Sequence, residues 1–131
     1  MALTTLLSAV VALQAPSAPV TADLVLVAAT PVPTAASIRP YRSALVAHEY
    51  QVKSIVKGSN PDVKAGSKIR IFRWGILEAK PTKLAKAKKG DKVRLTVKPL
   101  AGWIQMEREY QVDKLESDLA ITYFVEVGKP K

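Results

Sequence analysis

The sequence predicts a small all-β domain, a barrel or sandwich of OB-like or immunoglobulin-like architecture. Three observations predict it. Several short segments alternate apolar and polar residues with period two. Gly- and Pro-rich turns separate them. Helical apolar stripes are almost absent. With 131 residues the chain is long enough for one domain with a single core.

Residues 1–38 carry one charged side chain, Asp23, while all 20 Lys and Arg lie from Arg39 onward. So sharp a break divides the chain into an apolar leader (1–22), an extended arm or Pro-rich linker (23–40), a β domain (41–128) and a tail (129–131). Leu3 to Leu13 has the length of a signal-peptide apolar core, and Val20-Thr21-Ala22 before Asp23 would suit a signal peptidase. No Lys or Arg follows Met1, a departure from the usual basic start. A retained anchor also fits, although Pro16 and Pro19 spoil the end of a span that needs ~20 apolar residues. A third reading is an apolar leader packed against something, or a first strand. Leu24 to Ala29 reads as a strand or an extended arm. Pro31, Pro33 and Pro40 keep Thr30 to Pro40 extended, because proline fixes φ and disfavours helix before it.

The β domain reads in order. Ala44 to Val56 places Val46, His48, Tyr50, Val52 and Val56 on one face, opposite Ala47, Glu49, Gln51 and Lys53. Gly58 to Asp62 is a loop. Lys68 to Leu77 has Ile69 and Ile71 on one side and Phe72, Trp74 and Ile76 on the other, the pattern of a strand covered on both faces or bent near Gly75. Lys92 to Lys98 turns Val93, Leu95 and Val97 one way and stops at Pro99. Ile121 to Val127 closes the set through Ile121, Tyr123, Val125 and Val127. Thr82–Lys89 and Lys114–Leu119 have room only for short turns.

The net charge of +9 attracts polyanions in general without choosing among them. Lys80, Lys83, Lys86, Lys88, Lys89, Lys92, Arg94 and Lys98 form a run opposed only by Asp91. It reads as an anion- or partner-facing surface, or as a solvated lysine-rich edge that keeps a sheet from aggregating. Arg70, Phe72 and Trp74 share a strand face beside Lys68. Such a face stacks bases on some OB barrels, or is a buried core face with flanking cations. Trp103 is either an interface contact or a residue that closes the core. Glu107, Glu109, Asp113, Glu116 and Asp118 form an acidic stretch that fits no calcium-loop spacing and reads as a surface facing the lysines, within the fold or across molecules.

There is no cysteine and His48 is the one histidine. Disulfides, thiolate zinc sites, iron–sulfur clusters and cysteine nucleophiles are therefore excluded, and a histidine-rich metal site cannot be assembled. No phosphate loop, nucleophile elbow or dinucleotide fingerprint is present. The expectation is no catalytic residue, no metal and no cofactor.

The succession Ile38-Arg39-Pro40-Tyr41-Arg42-Ser43-Ala44-Leu45-Val46, Tyr50-Gln51-Val52, Trp74-Gly75-Ile76-Leu77 within Ile69 to Leu77, Gly90-Asp91-Lys92-Val93-Arg94-Leu95, Glu107-Arg108 and Tyr123-Phe124-Val125-Glu126-Val127 resembles a β-rich accessory domain. Such domains are attached to some exported bacterial SGNH-hydrolase-like proteins related to polysaccharide O-acetylation. The resemblance spans residues 38 to 127. It implies an extracytoplasmic accessory role with a link to carbohydrate. The hydrolase's catalytic Ser, Asp and His have no counterpart here, so the chain corresponds to the accessory domain standing alone.

The functional expectation is a non-catalytic, extracytoplasmic interaction or structural subunit, periplasmic or at the cell surface. It would dock on protein partners of a larger, membrane-associated assembly, with residues 1–20 as a route to the membrane. One alternative is a carbohydrate-binding module for an acidic or acetylated glycan. Another is an OB-type binder of single-stranded nucleic acid, disfavoured because the Lys92 to Lys98 strand lacks aromatics.

Overall fold

The computed structural model describes residues 18–129. Most of the leader expected over 1–22, and the end of the tail, lie outside them. Seven strands follow: β1 (Val20–Ala29), β2 (Ala44–Lys57), β3 (Lys68–Leu77), β4 (Lys80–Pro81), β5 (Lys92–Pro99), β6 (Gln111–Val112) and β7 (Tyr123–Glu126). Among the described residues, helical structure is confined to 3₁₀ turns at Ala36–Ile38 and Lys83–Lys86 and one α-turn at Ile104–Glu107.

Five strands close into a mixed barrel. β1, β2 and β3 form an antiparallel meander. β5 returns antiparallel to β1, and β7 fits between β5 and β3, antiparallel to the first and parallel to the second. The order β1-β2-β3-β7-β5 closes on β1, which is the connectivity of an OB-like barrel. Closure leaves no free edge inside the ring. Two-residue strands extend it outside: β4 antiparallel to β3, and β6 parallel to β2.

Of the two readings of Leu24 to Ala29, strand or extended arm, the structure has the strand: β1 is a stave flanked by β2 and β5. Val20, Ala22, Leu24 and Leu26 alternate inward and are buried, while Thr21, Asp23, Val25 and Val27 face out half-covered. The low charge that set this segment apart reflects a strand paired on both sides. Only residues 30–43 connect it to β2.

The barrel core joins those β1 residues to Tyr50 and Val52, Ile69 and Ile71, Leu95 and Val97, and Phe124. Val46 and His48 of the same β2 face are also buried. Val56 leaves the expected face because β2 bulges: Ala22 pairs with Ile55 and Thr21 with Lys57, so Val56 is skipped and exposed. On β7 the inward positions are Phe124 and Glu126. The alternation through Tyr123 and Val125 instead marks the outer face. Gly75 sits where a Cβ would approach Val46 Cγ2 to 2.5 Å, so any larger residue would push β3 off β2.

A second apolar layer lies outside the barrel. Leu45, Ala47, Phe72, Trp74 and Val125 are covered by Leu100, Trp103, Met106, Leu115 and Tyr123. The connection from β5 to β7 thus folds back across β2 and β3. This is why β3 is apolar on both faces. A third cluster, Ile38, Ala44 and Ile76 with Val32, Tyr110 and Val112, joins the β1–β2 connection to β6.

Candidate functional site

The predicted cationic run divides into three groups. Lys80 follows the β3–β4 turn, Lys83 and Lys86 lie on the 3₁₀ turn, and Lys88, Lys89 and Lys92 follow through the next turn into β5; all six are exposed. Thr82 caps the 3₁₀ turn, its Oγ1 accepting from Leu84 N at 3.2 Å and donating to the Trp74 carbonyl at 2.7 Å. Leu84 is buried, which anchors the lysine segment beside the barrel. Asp91 accepts from the Lys88 backbone N–H at 2.8 Å, so its carboxylate shapes the turn. Among the described residues no carboxylate forms an ion pair with these six lysines. Lys83 and Lys86 also line a cavity of about 200 Å³ with Leu26, Tyr50, Arg73, Leu84, Ala87, Asp91 and Val93.

Arg94 and Lys98 are engaged elsewhere. Arg94 binds Asp23 with both Nε and Nη2, at 2.8 and 3.2 Å. That hydrogen-bonded guanidinium holds the Asp23 carboxyl below its ordinary range. Lys98 Nζ lies 4.6 Å from the Trp103 ring centroid, a cation–π contact on the outer layer. The uncompensated surface is therefore Lys80 to Lys92.

Trp74 is only 4% exposed and packs in the outer layer, with Lys129 Nζ 5.4 Å from its ring centroid. Burial leaves little of its ring exposed, in keeping with the buried-core alternative for this strand face. Trp103 is half-buried over the same layer, its Nε1 donating to Gln105 Oε1 at 3.2 Å.

Arg70 fastens the covering segment. Its Nε donates to Glu49 Oε1 at 3.0 Å, Nη1 to Tyr123 Oη at 2.9 Å, and Nη2 to the Glu116 carbonyl at 2.6 Å. Tyr123 in turn donates to Asp113. Asp113 and Glu116 of the acidic stretch thus tie their own segment to β3 and β7. Among the described residues no member of that stretch forms an ion pair with a lysine.

Inside the barrel a polar chain replaces part of the apolar core. His48 Nδ1 meets Tyr50 Oη at 3.2 Å, Arg73 Nη1 donates to Tyr50 Oη at 2.9 Å, and Arg73 Nε donates to Glu126 Oε1 at 2.9 Å. Burial, with Arg73 nearby, pushes the His48 imidazole down to about 4, so the ring is neutral near pH 7. Burial pushes the Tyr50 phenol up. These groups satisfy one another, and no buried side-chain polar atom lacks a partner among the described residues.

One feature was not singled out as a site from the sequence. Tyr41 is 53% exposed and stacks on Tyr110, with centroids 4.6 Å apart and planes 16° from parallel. Tyr41, Arg39, Arg42, Ala35, Pro40 and Ala79 line a cavity of about 700 Å³. The local signal is Arg39-Pro40-Tyr41-Arg42, an aromatic between cations, but Tyr110 comes from far along the chain. No group of three or more His, Cys, Asp or Glu among the described residues is placed to hold a metal ion, and no described helix is long and apolar enough to cross a membrane. No family model, curated protein or solved structure matches the chain.

Proposed function

We propose that the chain is a non-catalytic, extracytoplasmic interaction subunit that docks on an acidic protein surface of a larger assembly through Lys80 to Lys92. The observation that carries this reading is the lysine segment itself: six exposed cations, none ion-paired among the described residues, held beside the barrel by buried Leu84. Unpaired like charges repel one another, so a complementary anionic surface relieves that repulsion and steers encounter. The enclosure of His48, with its bonding potential directed at Tyr50, supports a binding role over chemistry.

The test is affinity purification of the full chain from its native cells, wild type against Lys83→Glu/Lys86→Glu/Lys88→Glu/Lys89→Glu. The expected outcome is partner recovery with the wild type, weakening with salt, and loss of partners in the variant. Equal recovery by both would overturn the reading.

A second reading, an acidic-glycan module, is favoured by one specific observation: the Tyr41–Tyr110 stack beside Arg39 and Arg42. A tyrosine face packs on a sugar ring, and a guanidinium pairs with a carboxylate in bidentate fashion. Retardation by an acidic polysaccharide that Tyr41→Ala abolishes and the lysine variant leaves intact would select this reading. Coverage of the β2–β3 face by residues 100–122 speaks against a nucleic-acid binder.

A further inference from the structure

We propose that the cavity between the lysine segment and the barrel interior receives one carboxylate side chain, an aspartate or glutamate of the acidic partner. This rests on the docking reading and deepens it by naming the anchor point. The cavity lies where the exposed segment meets the polar chain inside the barrel. Lys83 and Lys86 border it from the 3₁₀ turn, Asp91 from the turn into β5, Tyr50 from β2 and Arg73 from β3. Lys88 and Lys89, on the same segment, do not line it.

Arg73 is the donor that an incoming carboxylate would meet. Its Nε and Nη1 are committed to Glu126 and Tyr50, each at 2.9 Å. Among the described residues its Nη2 has no hydrogen-bond partner and is not enclosed. The Arg73 side chain is 20% exposed, so this edge of the guanidinium remains within reach from outside. Tyr50 does not consume the charge, because burial pushes its phenol up and keeps it protonated near pH 7. The two carboxylates at hand are already engaged, Glu126 with Arg73 Nε and Asp91 with the Lys88 backbone N–H. Lys83, Lys86 and Arg73 set against Asp91 and Glu126 leave an excess of one positive charge, which a single carboxylate neutralises. A charge-assisted hydrogen bond to a guanidinium is among the strong ones.

Size sets the class of occupant. The cavity holds about 200 Å³. Pockets that enclose drug-sized ligands run roughly 300–1,000 Å³. This one admits a single side chain and excludes a sugar chain or a nucleotide. Leu26, Leu84 and Ala87 supply apolar wall for the methylene groups of that side chain. The rim is built before a partner arrives. Leu26 N donates to the Asp91 carbonyl at 2.9 Å, Gly90 N to the Leu26 carbonyl at 2.8 Å, and Thr82 N to the Gly75 carbonyl at 2.9 Å. A preformed rim lowers the ordering cost of binding.

The experiment is an NMR titration of the full chain with a short polyglutamate peptide. Wild type is compared with Lys83→Gln/Lys86→Gln and with Lys88→Gln/Lys89→Gln, two pairs that remove the same charge from exposed positions of one segment. The expected result is a saturable shift of the Arg73 side-chain N–H signal. The cavity-lining pair should weaken binding by ~10-fold or more and the other pair by only ~2-fold, as for an enclosed charge against a rim charge. Equal weakening by both pairs with an unmoved Arg73 signal overturns the pocket, while docking through diffuse lysine charge stands. Displacement of the peptide by inorganic phosphate at equal concentration overturns the side-chain assignment in favour of a free small anion. No binding of the peptide by wild type ends the acidic-partner reading together with the pocket.

Discussion

Two buried polar residues have testable energetics. His48 is held near a pKa of about 4, against 6.5 for the free side chain. The unfolded chain takes up the proton first as pH falls, so the neutral ring's contribution is complete above about 6.5 and is lost progressively toward 4. By linkage the loss reaches up to ~3 kcal/mol. Urea denaturation across pH 4 to 7.5 should show this slope, and His48→Gln should flatten it. Arg70 answers to a different cost. Arg70→Met leaves Glu49 buried and unpaired, which should destabilise the fold by roughly 3–5 kcal/mol. Adding Glu49→Gln should recover part of that in the same urea titration. His48 shares its alternation face with Val46, Tyr50 and Val52, whereas the burial of Arg70 and Glu49 is not identifiable from alternation alone. Glu49 sits on the face opposite the barrel core, and it is buried because residues 100–122 return across it.

At the scale of the element, β1 and the β5–β7 connection decide most. Gly58 adopts a left-handed φ and lies against Pro19, so Gly58→Ala combines backbone strain with a close contact. The expected cost is ~1–3 kcal/mol, read as a lowered urea midpoint. Arg70 ties the connection to β3 by one direct hydrogen bond, to the Glu116 carbonyl, and through Tyr123, which it also binds, to Asp113. Limited proteolysis should therefore cut Arg70→Met within residues 107–121 much faster than wild type, in conditions where both remain folded. The strands β2, β3 and β5 are legible in the sequence because half of each faces an apolar interior. β1 is legible as an apolar run, but not as a stave. Nothing in Leu24 to Ala29 indicates that β5, some 70 residues later, pairs with it.

At the scale of the molecule, charge is separated from fold. The lysine segment is anchored by Leu84 and Thr82, not by its cations. Lys83→Glu/Lys86→Glu/Lys88→Glu/Lys89→Glu should leave thermal stability nearly unchanged, within ~0.5 kcal/mol per site. The same variant is expected to lose its partners, so a melting curve run beside the purification separates unfolding from lost recognition. Arg94 would add little to that surface, being paired with Asp23.

Composition and alternation suffice for the β class, for the absence of cysteine chemistry and for a clustered excess of lysine, because these depend on residue type and near neighbours. Closure into a barrel, with β7 parallel to β3, was decided in three dimensions, since it depends on which distant strands find one another. The same closure put Val20 and Ala22 into the core, packing divided the cationic run, and the returning β5–β7 connection covered Trp74. It also brought Tyr110 beneath Tyr41. Period-two alternation specifies which way a side chain points relative to its own strand; only the packed chain determines what lies there to meet it.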